Sequence, residues 1–213
     1  MQKFKKGFRY FLDYYKWYAI APTLIIIIIV SFILSYKENT RPISLSIALV
    51  NTNNVSAAMA AFQYDYPKVR GIDTNALPVK VETNLIHPSV INEQTVIDES
   101  MVANVQRLQA LMISEMVDVF IGTDWVVRDY EKSDVFYDMH DVLSAEDFEK
   151  YKDDICYMPD SNGNLAPVAI YLADCPYLEE FHEQAVPVIA IPLNATRPEQ
   201  AKDFVNWIIQ YKK

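Results

Sequence analysis

Apolar and polar positions follow three regimes along this chain. Residues 17–36, WYAIAPTLIIIIIVSFILSY, hold no charged side chain over 20 positions, enough for a helix to cross the hydrocarbon core of a bilayer. From residue 43 to 122, short β-branched runs alternate with segments of helical period. Beyond residue 122 the order is less regular.

In the first regime, Lys3, Lys5, Lys6, Arg9 and Lys16 precede the apolar run against the single acid Asp13. This asymmetry predicts a cytoplasmic N-terminus and an extracellular remainder. Trp17 and Tyr18 at one end and Tyr36 at the other suit headgroup interfaces, and Pro22 falls in the first turns, where a missing N–H costs little. A cleaved signal peptide is the rival reading. The exit Ser-Tyr-Lys-Glu-Asn-Thr lacks a small-x-small site, and no cysteine follows to take a lipid. The expectation is an uncleaved single-pass anchor: a cytoplasmic basic segment 1–16, a transmembrane helix 17–36, a linker 37–42 and an extracytoplasmic domain 43–213.

In the second regime, residues 43–50 read as a buried strand. Asn51-Thr52-Asn53-Asn54 break it and can cap the alanine-rich helix that begins near Ser56 and should end at Pro67. The alternation of residues 79–85 predicts a strand. Residues 92–116 place Val96, Met101, Val105, Leu108, Leu111 and Met112 near helical spacing. Val117-Asp-Val-Phe-Ile-Gly is a short apolar strand, and Thr123-Asp-Trp-Val-Val opens another helix. Strand, helix, strand, helix, strand predicts an α/β domain with a mainly parallel sheet flanked by helices.

In the third regime, residues 136–143 suggest a connecting segment. Ser144 caps a helix with acids in its first turn, and residues 155–170 form a hairpin around Asn162-Gly163. Residues 176–184 are a candidate helix. A strand at 186–193 carries two prolines that argue for an edge or a strand end. A last helix follows Thr196, its expected cap, with Ala201, Phe204, Val205 and Ile208 on one face.

Charge narrows the partners. The first 36 residues hold five bases and one acid, leaving 14 bases and 27 acids, a net charge near −13 outside the membrane. That surface repels nucleic acid. Cys156 and Cys175 would meet an oxidising environment, so a disulfide is open. With Asn162-Gly163 as hairpin tip, however, Cys156 lies opposite about residue 169, short of Cys175. Only four glycines occur, with no Gly-x-Ser-x-Gly, His-Glu-x-x-His or phosphate-binding loop. Nothing points to catalysis or a cofactor. Asp138-Met-His-Asp is the one dense acid and histidine cluster, and it lacks further ligands for a metal.

Three segments resemble the extracellular solute-binding proteins of ABC importers, of the sugar-binding type. They are the helix at residues 106–116 leading into Val117-Asp-Val-Phe-Ile-Gly, the segment Phe136-Tyr-Asp-Met-His-Asp-Val-Leu, and residues 189–208 with a Glu-x-Ala-x-x-Phe core. The resemblance implies a periplasmic-binding-protein-like lobe that binds a sugar and works with a transporter permease. Members of that family have two lobes, whereas this chain is about one lobe long, so weak binding is expected.

Ligands of open α/β sheets bind beyond the carboxyl ends of the strands. That rule selects Asn51, Thr52, Asn53 and Asn54 after the first strand, and Thr123, Asp124 and Trp125 after the third. Amides and a carboxylate can bond hydroxyls, and an indole can stack on a sugar face. The alternative is that the asparagines and Asp124 cap helices and Trp125 packs the core. At the level of function, the rival to ligand binding is a non-catalytic accessory protein that docks on another envelope protein.

Overall fold

The structure is a computed structural model, describing residues 20–34, 41–52, 55–87, 99–173, 175–178 and 186–211. It has two compact units, Met1–Pro42 and Ile43–Lys213. In the first, residues 20–34 form helix α1, with exposed side chains throughout. Among the described residues no helix is long and apolar enough to cross a membrane. The 15 residues of α1 rise about 22 Å, short of the ~30 Å hydrocarbon core. The expected transmembrane helix at 17–36 is therefore not shown at full length, and its two ends fall outside the described residues.

The second unit is an α/β domain built on one six-stranded sheet in the order β2-β1-β3-β6-β5-β4. Its strands are β1 (Leu45–Val50), β2 (Val79–Leu85), β3 (Val119–Thr123), β4 (Ile155–Pro159), β5 (Leu165–Tyr171) and β6 (Pro187–Ala190). As the alternation requires, β1 pairs in parallel with β2 on one side and β3 on the other. The mainly parallel sheet is corrected to a mixed one: β6 is antiparallel to β3 and to β5, and β5 to β4. The cause is local. A hairpin makes its two strands antiparallel, and β6 inserts between β5 and β3 rather than at an edge. Its prolines are tolerated because Pro187 opens the strand and Pro192 lies beyond its end.

Helices cover both faces. α2 (Ser56–Ala60) runs through a π-helical stretch, Ala61–Asp65, into α3 (Tyr66–Arg70). Pro67 does not end this helix. It sits near the start of α3, just after the looser π stretch, and the stop is Gly71 in the left-handed region at φ 67°. Val55, not a described asparagine, occupies the N-cap and makes no side-chain bond. α4 (Glu99–Ile113), α5 (Asp124–Glu131), α6 (Ala145–Lys150) and α7 (Pro198–Ile208) complete the set. Ser144 caps α6 as expected, accepting from Asp147 N at 3.0 Å. Residues 92–98 and 179–184 of the two other expected helices lie outside the described residues.

One face of the sheet packs Leu45, Ile47, Leu49, Val119, Ile121 and Ile189 against Phe62, Tyr66, Phe204 and Trp207 of α2–α3 and α7. The other packs Ala48, Val50, Phe120 and Val188 against Leu108 and Met112 of α4 and Val126 and Val127 of α5. The two cysteines are not joined. Cys156 pairs with Ala169 across the hairpin and belongs to the second face, whereas Cys175 belongs to the first.

Asp118, fully buried just before β3, ties the domain together. It accepts from Ser46 N at 2.8 Å, Arg197 N at 3.0 Å, Thr196 Oγ1 at 3.2 Å and Arg197 Nη1 at 2.8 Å. Arg197 Nε also donates to Ile43 O at 3.0 Å. Thr196 is therefore not the cap of α7. Its hydroxyl serves Asp118, and Arg197 takes the N-cap position without a side-chain bond.

Candidate functional site

The parallel strands define one special place. Strand β1 leads into α2 on one face of the sheet, whereas the adjacent β3 leads into α5 on the other. Where neighbouring strands send their helices to opposite faces, the helix starts separate and leave a crevice beyond the strand ends. Asn51 and Thr52 leave β1 there, and Thr123, Asp124 and Trp125 leave β3. Asn53 and Asn54 lie outside the described residues.

Asn51 has a positive φ of 59°, a conformation asparagine tolerates better than most residues. Its amide is already engaged: Oδ1 accepts from His87 N at 2.9 Å and Nδ2 donates to His87 O at 3.0 Å. Its backbone N–H donates to Leu85 O at 2.8 Å. Asn51 thus clamps the exits of β1 and β2 together. The hydroxyls of Thr52 and Thr123 are different. Both are buried, and the described residues supply neither with a hydrogen-bond partner. Thr123 stands at the N-cap of α5 without capping it and is 2 % exposed. A buried hydroxyl without a bond costs about 1–3 kcal/mol, so the ends of β1 and β3 each carry a polar group left wanting.

Asp124 fills the first turn of α5, where its charge complements the helix dipole. Its Oδ1 accepts from Trp125 N at 2.8 Å; Oδ2 has only a long 3.5 Å contact from the Tyr171 hydroxyl. His87, whose backbone Asn51 holds, belongs to an aromatic cluster. His87 lies 5.6 Å from the Trp125 ring and 5.7 Å from the Tyr130 ring, centroid to centroid. Burial, then the charge of Asp129, pushes the Tyr130 hydroxyl up to about 12. Burial and a hydrogen bond with the Cys156 thiol hold Tyr171 well above the ordinary phenol range, and burial raises the thiol too. All three are neutral at physiological pH. Gly122 has a packing role here: a Cβ would stand 2.6 Å from the Phe120 ring.

The structure thus brings Asn51, Trp125 and Asp124 to one end of the sheet and adds His87, Tyr130 and Tyr171. His87 was within reach of the strand-end rule, since it follows β2 by two residues. Tyr130 and Tyr171 carry no sequence signal, because their places depend on the length of α5 and on β5 joining the sheet. Asp138 is a local cap, taking His140 N and Nδ1 at 2.7 Å each. Among the described residues no group of three metal-ligating side chains forms. A separate open cleft of about 480 Å³ between α6 and the end of α7, lined by Asp147, Lys150, Tyr151 and Asn206, shares none of these residues. No family model, curated protein or solved structure matches the chain.

Proposed function

We propose that this protein is a membrane-anchored extracytoplasmic binding lobe, related to the solute-binding proteins of ABC importers, that holds a small hydroxylated ligand at the β1/β3 crevice. The observation that carries the reading is the pair of buried hydroxyls at the ends of β1 and β3, Thr52 and Thr123, which the described residues leave without a hydrogen-bond partner. Carbohydrate is the first class to test, because Thr52, Thr123 and Asp124 can bond hydroxyls while Trp125 offers an aromatic face. Asn51 acts indirectly, by fixing the exits of β1 and β2.

The anchor is residues 17–36, placed by charge asymmetry with the N-terminus in the cytoplasm. Protease added to spheroplasts should then digest the 43–213 domain. A ligand held by this lobe alone keeps an open, hydrated side, so affinity in the micromolar to millimolar range follows, about −8 to −4 kcal/mol. The natural collaborator is a transporter permease or another membrane protein that covers the open side.

A thermal-shift screen of the full chain against mono- and oligosaccharides tests the reading. A native-state ligand raises the melting temperature with concentration, and Thr123→Val should abolish that rise while leaving the unliganded protein folded. Absence of any shift across the panel would favour the accessory-protein reading, in which the lobe docks on a neighbouring envelope protein.

A further inference from the structure

The carboxylate of Asp124 is the one formal charge among the crevice residues named above, and the chain uses only half of it. Oδ1 serves the Trp125 amide, whereas Oδ2 has a 3.5 Å contact to the Tyr171 hydroxyl, too long to satisfy a carboxylate oxygen. Among the described residues no ion pair is made to Asp124; Arg128, one turn along α5, is exposed and bridges nothing, and Asp129 pairs with Lys132 instead. Trp125 follows Asp124 in α5, and its partly buried ring lies 5.6 Å from His87, which in turn lies 5.7 Å from Tyr130; an aromatic face attracts a cation through its quadrupole. The wider field agrees in sign: 27 acids against 14 bases beyond residue 36 raise the local concentration of cations and repel anions.

Resting on the crevice reading above, we infer that its ligand is a small organic cation, an amine that also carries hydroxyls. The ammonium pairs with Asp124 Oδ2 beside Trp125, and the hydroxyls bond Thr52 and Thr123. The bond to the Trp125 amide accounts for Asp124 Oδ1 but not for Oδ2.

The test uses the full chain in a polyoxyethylene detergent, since a sugar-headed detergent would compete. Glucosamine and glucose form one matched pair, and choline and its neutral isostere 3,3-dimethylbutanol a second, each titrated by calorimetry at low and high salt. The expected result is about tenfold tighter binding of the charged member of each pair, within the range of cation–π and exposed ion-pair energies. Asp124→Asn, which keeps the bond to the Trp125 amide, should erase the difference, and Trp125→Ala should weaken the charged members most. Equal binding of glucose and glucosamine would overturn the cation while leaving the crevice reading intact. Charged-member preference that survives Asp124→Asn would overturn the assigned position. No binding by any of the four compounds would count against the cation, and a thermal shift with another sugar would then separate its failure from that of the crevice.

Discussion

Replacing Asp118 by alanine should remove about 3–5 kcal/mol of stability, the range for breaking a buried, hydrogen-bonded charge pair. The carboxylate is 0 % exposed and receives four hydrogen bonds from three residues. Alanine strands the Ser46 N–H, itself buried, at about 1–3 kcal/mol, and releases the guanidinium of Arg197. That side chain is 29 % exposed and keeps Ile43 O as an acceptor, so its share is the smaller one. Asp118→Asn separates charge from packing. It is nearly isosteric, yet the Ser46 N–H, Arg197 N–H and guanidinium can only donate, and an amide NH2 cannot accept from them. A cost of about 1–3 kcal/mol therefore persists. Urea denaturation of the full chain in nonionic detergent, followed by circular dichroism with m-values compared, measures both variants. A cost under about 1 kcal/mol for alanine, or an asparagine variant equal to wild type, would refute the latch.

Phe204 is fully buried and meets Phe62 at 5.1 Å and Tyr66 at 5.0 Å edge-to-face, so Phe204→Ala should cost about 3–5 kcal/mol in the same assay; a loss under 1 kcal/mol would mean α7 is not packed on the sheet. Glu131 is 3 % exposed, and burial raises its pKa despite bonds from the backbone of Phe136 and Val135. A raised folded pKa makes the ionised form the unfavourable one. Wild type should therefore lose stability relative to Glu131→Gln as pH climbs from the unfolded value of about 4.3 through the folded one. A difference that does not change with pH would contradict this.

Periodicity was enough to locate β1, β2, β3, the β4–β5 hairpin and the buried face of α7, because each is a local pattern that its own burial enforces. The offset of Cys156 against residue 169 was legible for the same reason: turn geometry fixes register. What sequence spacing could not carry was the partner of each element. The two prolines of Val186 to Leu193 argue for an edge or a strand end, and its insertion between β3 and β5, antiparallel to both, is a non-local pairing that this pattern does not encode. Pro67 looked like a stop because the adjacent π stretch leaves no mark in composition. The strand-end rule selects Thr52, Thr123, Asp124 and Trp125, which do leave β1 and β3 at one end of the sheet, whereas the Asn51 amide, selected with them, is spent on the His87 backbone. Thr196 likewise looked like a cap, and its bond goes 78 residues back to Asp118.

The claim that the β1/β3 crevice is the binding site is tested most directly by methyl-labelled threonine in the full chain, titrated with the best compound of the sugar and amine panels. The methyl resonances of Thr52 and Thr123 should move together, saturably and with one dissociation constant, while that of Thr196, held at the opposite end of the sheet by Asp118, stays in place. Saturable movement of Thr196 with silence at Thr52 and Thr123 would contradict the assignment, as would ligand-induced changes confined to the cleft beside Lys150 and Tyr151.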